Sequence, residues 1–135
     1  MLALGLEAAG DPTGGFGPWT LDPFDDEARQ LAGLERILAR SEGYLGLATE
    51  SGRFGDAPER FAPIAAALAG RGLGFVELGD TRLATEAAAQ GLAYASAQGP
   101  LDDVTEPDAI DAALGRLELA ALSDGRAVGY VQPYP

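Results

Sequence analysis

Apolar residues along this chain alternate between short unbroken runs and longer stretches with helical spacing. The runs Leu2–Leu6, Tyr44–Ala48, Leu73–Leu78 and Arg126–Val131 read as strands, and Leu92–Ala95 as a weaker one. Between them, Asp25 or Asp26 can cap a helix reaching to about Arg40, with Leu31, Leu34, Ile37 and Leu38 along one face. A second helix runs from about Pro58 to Ala69, with an irregular start because Pro63 interrupts hydrogen bonding. Leu83–Gln90 forms a short Ala-rich helix stopped by Gly91. Thr105-Glu106-Pro107-Asp108 opens a longer helix to about Leu122, with Asp124-Gly125 as its stop.

Strand–helix alternation predicts an α/β domain with a mainly parallel sheet and right-handed crossovers. In such a sheet the functional loops lie at the carboxyl ends of the strands. That rim comprises 7–23, 49–56, 77–82, 97–103 and 132–135. The pattern favours a partial or deformed (β/α) barrel, with an open flavodoxin-like sheet as the alternative. The expected core is Leu4, Leu34, Ile37, Leu45, Phe61, Ile64, Leu68, Phe75, Ile110, Leu114, Leu117 and Val128.

Composition narrows the chemistry sharply. The 135 residues carry 21 acidic and nine basic side chains, a net charge of −12, and every basic residue is arginine. The chain holds no cysteine, histidine or lysine. A disulfide framework, a thiolate nucleophile, a Ser-His-Asp triad, a Schiff-base lysine and a P-loop lysine are therefore excluded for these residues. The acidic balance argues against nucleic acid as a partner. No apolar run approaches the roughly 20 residues of a membrane helix, and the N-terminus lacks a signal peptide's basic lead-in, so as written the chain reads as cytoplasmic.

Three rim stretches carry the most information. They are Gly43-Tyr44-Leu45-Gly46-Leu47 running to Ser51-Gly52-Arg53-Phe54, Leu101-Asp102-Asp103 running to Pro107-Asp108-Ala109-Ile110, and Val131-Gln132-Pro133-Tyr134-Pro135. With Arg71-Gly72-Leu73 and Phe75-Val76-Glu77 between them, they resemble the divergent polysaccharide deacetylase family of bacteria. The resemblance implies a deformed (β/α) barrel related to metal-dependent carbohydrate esterases. There an Asp and two His hold a divalent metal whose water attacks an acetyl group. On this pattern the family's Asp-Asp strand would lie before Met1. The expectation is thus a single domain over 1–135 lacking its first one or two β/α units, with a bacterial periplasmic or envelope setting for a longer parent. The family's histidines fall on Gly5, on about Thr49 (or Glu50, with one gap) and on Gln132, while Arg53, Glu77 (for Asp), Asp102, Pro133 and Tyr134 are retained matches.

The candidate cleft residues are therefore Glu50, Arg53, Glu77, Asp102, Gln132 and Tyr134, with no confident catalytic residue, no metal ligand set and no cofactor expected. Glu50 with Arg53 reads as a surface pair. Asp25-Asp26-Glu27 and Asp102-Asp103 read as helix caps and solvated faces more readily than as a metal site. Phe16 and Trp19, with Phe24, form either a sugar-stacking platform or a plug at the barrel end. Three functions stay open. The first is a degenerate or truncated deacetylase-like protein of cell-envelope glycan metabolism without metal-dependent activity. The second is a non-catalytic glycan- or protein-binding scaffold, and the third a metal-free hydrolase using two of Glu50, Glu77 and Asp102. An unpaired sheet edge is also expected to invite self-association.

Overall fold

The computed structural model describes residues 2–3, 20–40, 42–49 and 52–131. Strands β1 (Leu2–Ala3), β2 (Gly46–Thr49), β3 (Gly74–Leu78), β4 (Ala93–Gln98) and β5 (Val128–Gly129) form one sheet in the order β1-β2-β3-β4-β5. Every neighbouring pair is parallel, with Leu47 opposite Phe75, Phe75 opposite Tyr94 and Ala97 opposite Val128. The strand order never reverses, which is the order found around a (β/α) barrel. A doubly wound sheet has a switch point. Among the described residues the sheet does not close, because β1 pairs only with β2 and β5 only with β4.

Helices α1 (Glu27–Leu38), α2 (Ala62–Gly70), α3 (Ala84–Ala89) and α4 (Pro107–Asp124) follow the strands, as the spacing predicts. Asp26 caps α1, its carboxylate accepting from the Arg29 amide at 2.9 Å, so the acidic cluster there is a helix start. The irregular entry expected near Pro63 is a 3-10 turn, Pro58–Phe61, which hands over to α2 with Pro63 in its first turn. That location is harmless, since first-turn amides have no intrahelical acceptor.

Alternation along the strands separates two apolar faces. Leu47 and Phe75 face the helices and join Leu34, Ile37, Phe54, Phe61, Ile64, Leu68 and Leu83 in the main core. Its centre is aromatic, with Phe61 packed on Phe75 at 4.8 Å between ring centroids and edge-on to Phe54 at 6.1 Å. Ala48, Val76 and Ala97 point the other way and form a smaller cluster with Val128 and Tyr130. Strands β2 and β3 approach most tightly at Gly46, where a Cβ would run into the carbonyl of Gly74, so any other residue would push the strands apart.

Two expected core residues are on the surface. Leu45 is 77% exposed because it precedes β2 and overhangs the amino end of the sheet, beyond the reach of the helices. Leu114 is 44% exposed because α4 packs along Ala113, its one buried residue, with Leu114 on the flank. Ile110, Leu117 and Val128 are half-buried, and Leu4 lies outside the described residues. Phe61→Ala is expected to destabilise the fold by about 3–5 kcal/mol. Leu45→Ala should stay within about 0.5 kcal/mol. Urea unfolding of the two variants checks both values.

Candidate functional site

The carboxyl ends of the strands carry loops that are laced together by side chains. Between β1 and α1, Asp22 accepts from the Phe24 amide at 2.9 Å, which folds 22–25 into a tight turn. Gln30, only 3% exposed, reaches back from α1 and donates its amide to the carbonyls of Pro23 at 3.0 Å and of Asp22 and Asp25 at 3.3 Å. The turn is thereby held from beneath by a buried side chain.

Arg53, in the 3-10 turn Gly52–Phe54 after β2, crosses to this turn. Its guanidinium lies 3.9 Å from the Asp22 carboxylate and 5.0 Å from the ring centroid of Phe24. Arg53 is thus at the rim as expected, but the partner described for it is Asp22, while Glu50 lies outside the described residues. Phe24 is 60% exposed and does not plug the barrel end. Phe16 and Trp19 lie outside the described residues.

The next link joins the β2–α2 and β3–α3 loops. Arg82 donates to Asp56 at 3.0 Å and pairs with Asp80, whose carboxylate also caps the Thr81 amide at 2.6 Å. These exposed pairs contribute little stability each but set the direction of Asp80. Beside them a groove of ≈ 410 Å³ opens between β3 and β4, lined by Gly79, Asp80, Thr81, Ser96, Ala97, Gln98 and Gly99. Its lining offers a carboxylate, hydroxyls and a primary amide, a set that hydrogen-bonds polyhydroxylated ligands from several directions. At Gly99 φ is +149° and a Cβ would sit 2.9 Å from the Tyr130 carbonyl, so glycine lets the chain turn tightly past β5. Tyr130 closes the same corner, its hydroxyl 3.7 Å from where a Gly79 Cβ would stand.

Glu77 does not belong to this groove. It shares the helix-facing side of β3 with Phe75, is fully buried, and accepts from the Leu83 amide at 3.1 and 3.3 Å and from the Tyr94 hydroxyl at 2.6 Å. Its carboxylate is a bracket holding the start of α3 against β3 and β4, and the structure removes it from the cleft. Asp102 is half-buried in the loop between β4 and α4, just past the cis Gly99–Pro100 bond, while Gln132 and Tyr134 lie outside the described residues. Of the rim segment 77–82, Asp80 lines the groove and Glu77 does not. The sequence signal for Asp80 is Gly79, which follows β3 at φ +72° and turns the chain into the loop that carries the acid.

A larger hollow of ≈ 520 Å³ lies at the opposite, amino end of the strands. Leu45, Gly46, Gly74, Leu92 and Ala93 contribute to its wall, Arg126 is its charged residue, and no carboxylate lines it. Catalytic groups in barrels stand at the carboxyl face, so the rim is the candidate site.

Taken together, sequential parallel strands with loop-borne polar groups at their carboxyl ends define an α/β scaffold with an all-parallel sheet that is not closed among the described residues. The chain belongs to the divergent polysaccharide deacetylase family, whose model matches residues 1–135. It is also similar to the crystal structure of an uncharacterized protein from Agrobacterium tumefaciens, with a TM-score of 0.82 and 27% identity. That match covers 97% of this chain and 55% of the other, so this chain spans little more than half the length of its structural relative. No curated protein sequence matches it. The family implies a divalent metal. The sequence contains no imidazole or thiolate, and among the described residues no three acidic side chains converge as ligands. Among the described residues no helix is long and apolar enough to cross a membrane.

Burial, followed by the hydrogen bond to Glu77, raises the Tyr94 hydroxyl above the ordinary tyrosine value. The neutral phenol is the form the fold accommodates. Its stabilisation is complete below about pH 10, where the unfolded chain begins to titrate, and declines as pH rises further. Tyr94→Phe should flatten the loss of stability above that pH. Glu77→Ala, which strands a buried amide and hydroxyl, should cost about 3 kcal/mol. Denaturant midpoints measured across the alkaline range check both.

Proposed function

We propose that this chain is a glycan-handling member of the divergent polysaccharide deacetylase family that does not itself carry out metal-dependent deacetylation. The observation that carries this reading is the absence of histidine and cysteine from the sequence. On the family resemblance the histidine positions fall on Gly5, on about Thr49 (or Glu50, with one gap) and on Gln132, and the sequence contains no imidazole at all. Thr49 ends β2 with 3% of its surface exposed, and a hydroxyl there cannot stand in for a neutral imidazole on a transition metal.

The rim nevertheless keeps the properties of a sugar site. Asp80 is oriented by Arg82 and the Thr81 amide, and it stands beside the hydroxyl of Ser96 and the side-chain amide of Gln98. Phe24 lies exposed in a turn held by Gln30, with Arg53 over its ring. A neutral or acetylated oligosaccharide, bound through hydroxyl and amide contacts, suits this lining better than an anionic one, given a net charge of −12. The metal-free hydrolase loses support, because Glu77 is committed to Leu83 and Tyr94 beneath the sheet.

Titration calorimetry with acetylated chitooligosaccharides and with zinc, run beside an acetate-release assay, tests the proposal. The expected result is oligosaccharide binding that Asp80→Ala weakens about tenfold, the loss of one charge-assisted hydrogen bond, with no acetate released. Micromolar zinc affinity coupled to acetate release overturns it.

A further inference from the structure

We propose that the outward face of α4 is a homodimer seam on which a second copy of this chain packs in parallel. Helix α4 turns Ala113 toward the body, with Ala109, Ile110, Leu117 and Ala120 half-buried beside it. The opposite face carries Ala112, Gly115, Leu119 and Leu122, separated by three, four and three residues. That is the a-d-a-d spacing of a two-stranded helical seam. Leu119 is 68% and Leu122 82% exposed, and a Cβ at Gly115 would meet no atom within 4 Å. Nothing described covers this stripe. Small residues in its first half let a partner helix approach closely, and leucines in the second half supply the knobs.

Charge selects both the occupant and its direction. Asp111 and Arg116 flank the seam at the g and e positions, and neither makes an ion pair among the described residues. In a parallel pair, a g residue meets the e residue five positions on in the other helix. Asp111 of each copy then faces Arg116 of the other, and the two-fold axis makes the contact twice. An antiparallel pair would set Asp111 against Glu118 and Arg116 against Arg116. A second copy in parallel is therefore the occupant this face complements, and such a contact is isologous and closed. Two heptads on a chain of charge −12 make a reversible dimer rather than an obligate one.

Sedimentation of the 135-residue chain over about 5–500 µM, a range that brackets a reversible contact, tests the seam. The expected result is a shift from 13.8 kDa toward twice that mass as concentration rises. Leu119→Glu with Leu122→Glu should hold the chain at the monomer mass with an unchanged circular dichroism spectrum, since both positions are exposed. Arg116→Glu should weaken the dimer at least tenfold, and adding Asp111→Arg to it should restore the dimer. Because the sequence has no cysteine, Asp108→Cys and Leu122→Cys at either end report direction. Each alone should form a disulfide dimer on oxidation. A monomer at every concentration overturns the proposal. So does association that the leucine variants leave intact, which would assign it to a sheet edge, and so do cross-links that form only when the two cysteine variants are mixed.

Discussion

A parallel sheet whose strands follow one another in sequence has one geometric requirement above all others. Each right-handed crossover must return over the same face, so the helices gather on one side and the other side is left to something else. Here the helix side holds the strength of the fold. Phe54, Phe61 and Phe75 meet beneath α2, and Leu34, Ile37, Leu47 and Leu83 pack around them. Among the described residues the other side carries a smaller cluster, Ala48, Val76 and Ala97 with Leu78, Ala95, Val128 and Tyr130. The asymmetry explains why the buried carboxylate of Glu77 is found among the helices. There the Leu83 amide and the Tyr94 phenol satisfy it.

The rim depends on the same arrangement. Parallel strands bring successive loops to one end, and short-range side-chain links then set their spacing. Asp22 with Arg53 joins the first loop to the second, and Asp56 with Arg82 joins the second to the third. None of these links is deeply buried, so their effect is on orientation more than on stability. The groove beside Asp80 inherits its shape from them and from the glycines that let β5 pass close to β4.

Much of this was legible in the sequence because periodicity reports burial. The strands at β2 and β3 and the helices at α1, α2 and α4 follow from apolar spacing and from caps such as Asp26 and the Glu106-Pro107 entry. Leu92–Ala95, the stretch that becomes β4, reads only as a weak strand and has no β-branched residue. The strand spans Ala93–Gln98 because pairing on both sides overrides propensity. Leu45 and Leu114 lie on the surface for a complementary reason, as periodicity locates a face but not where the covering layer stops. The role of Glu77 could have been read from its shared parity with Phe75. The partnership of Arg53 with Asp22 could not, because side chains that distant in sequence meet only through the fold.

The division of labour between the two faces has an evolutionary consequence. The contacts that hold the domain together lie between sheet and helices, while the polar groups of the carboxyl rim stand on loops tied by exposed ion pairs. Exchange of a rim residue therefore changes chemistry at small thermodynamic penalty, and selection on folding alone does not preserve it. A lineage can lose or replace a constellation of ligating side chains while its aromatic centre stays fixed. The scaffold then remains available for a new ligand, with drift confined to the surface where recognition takes place.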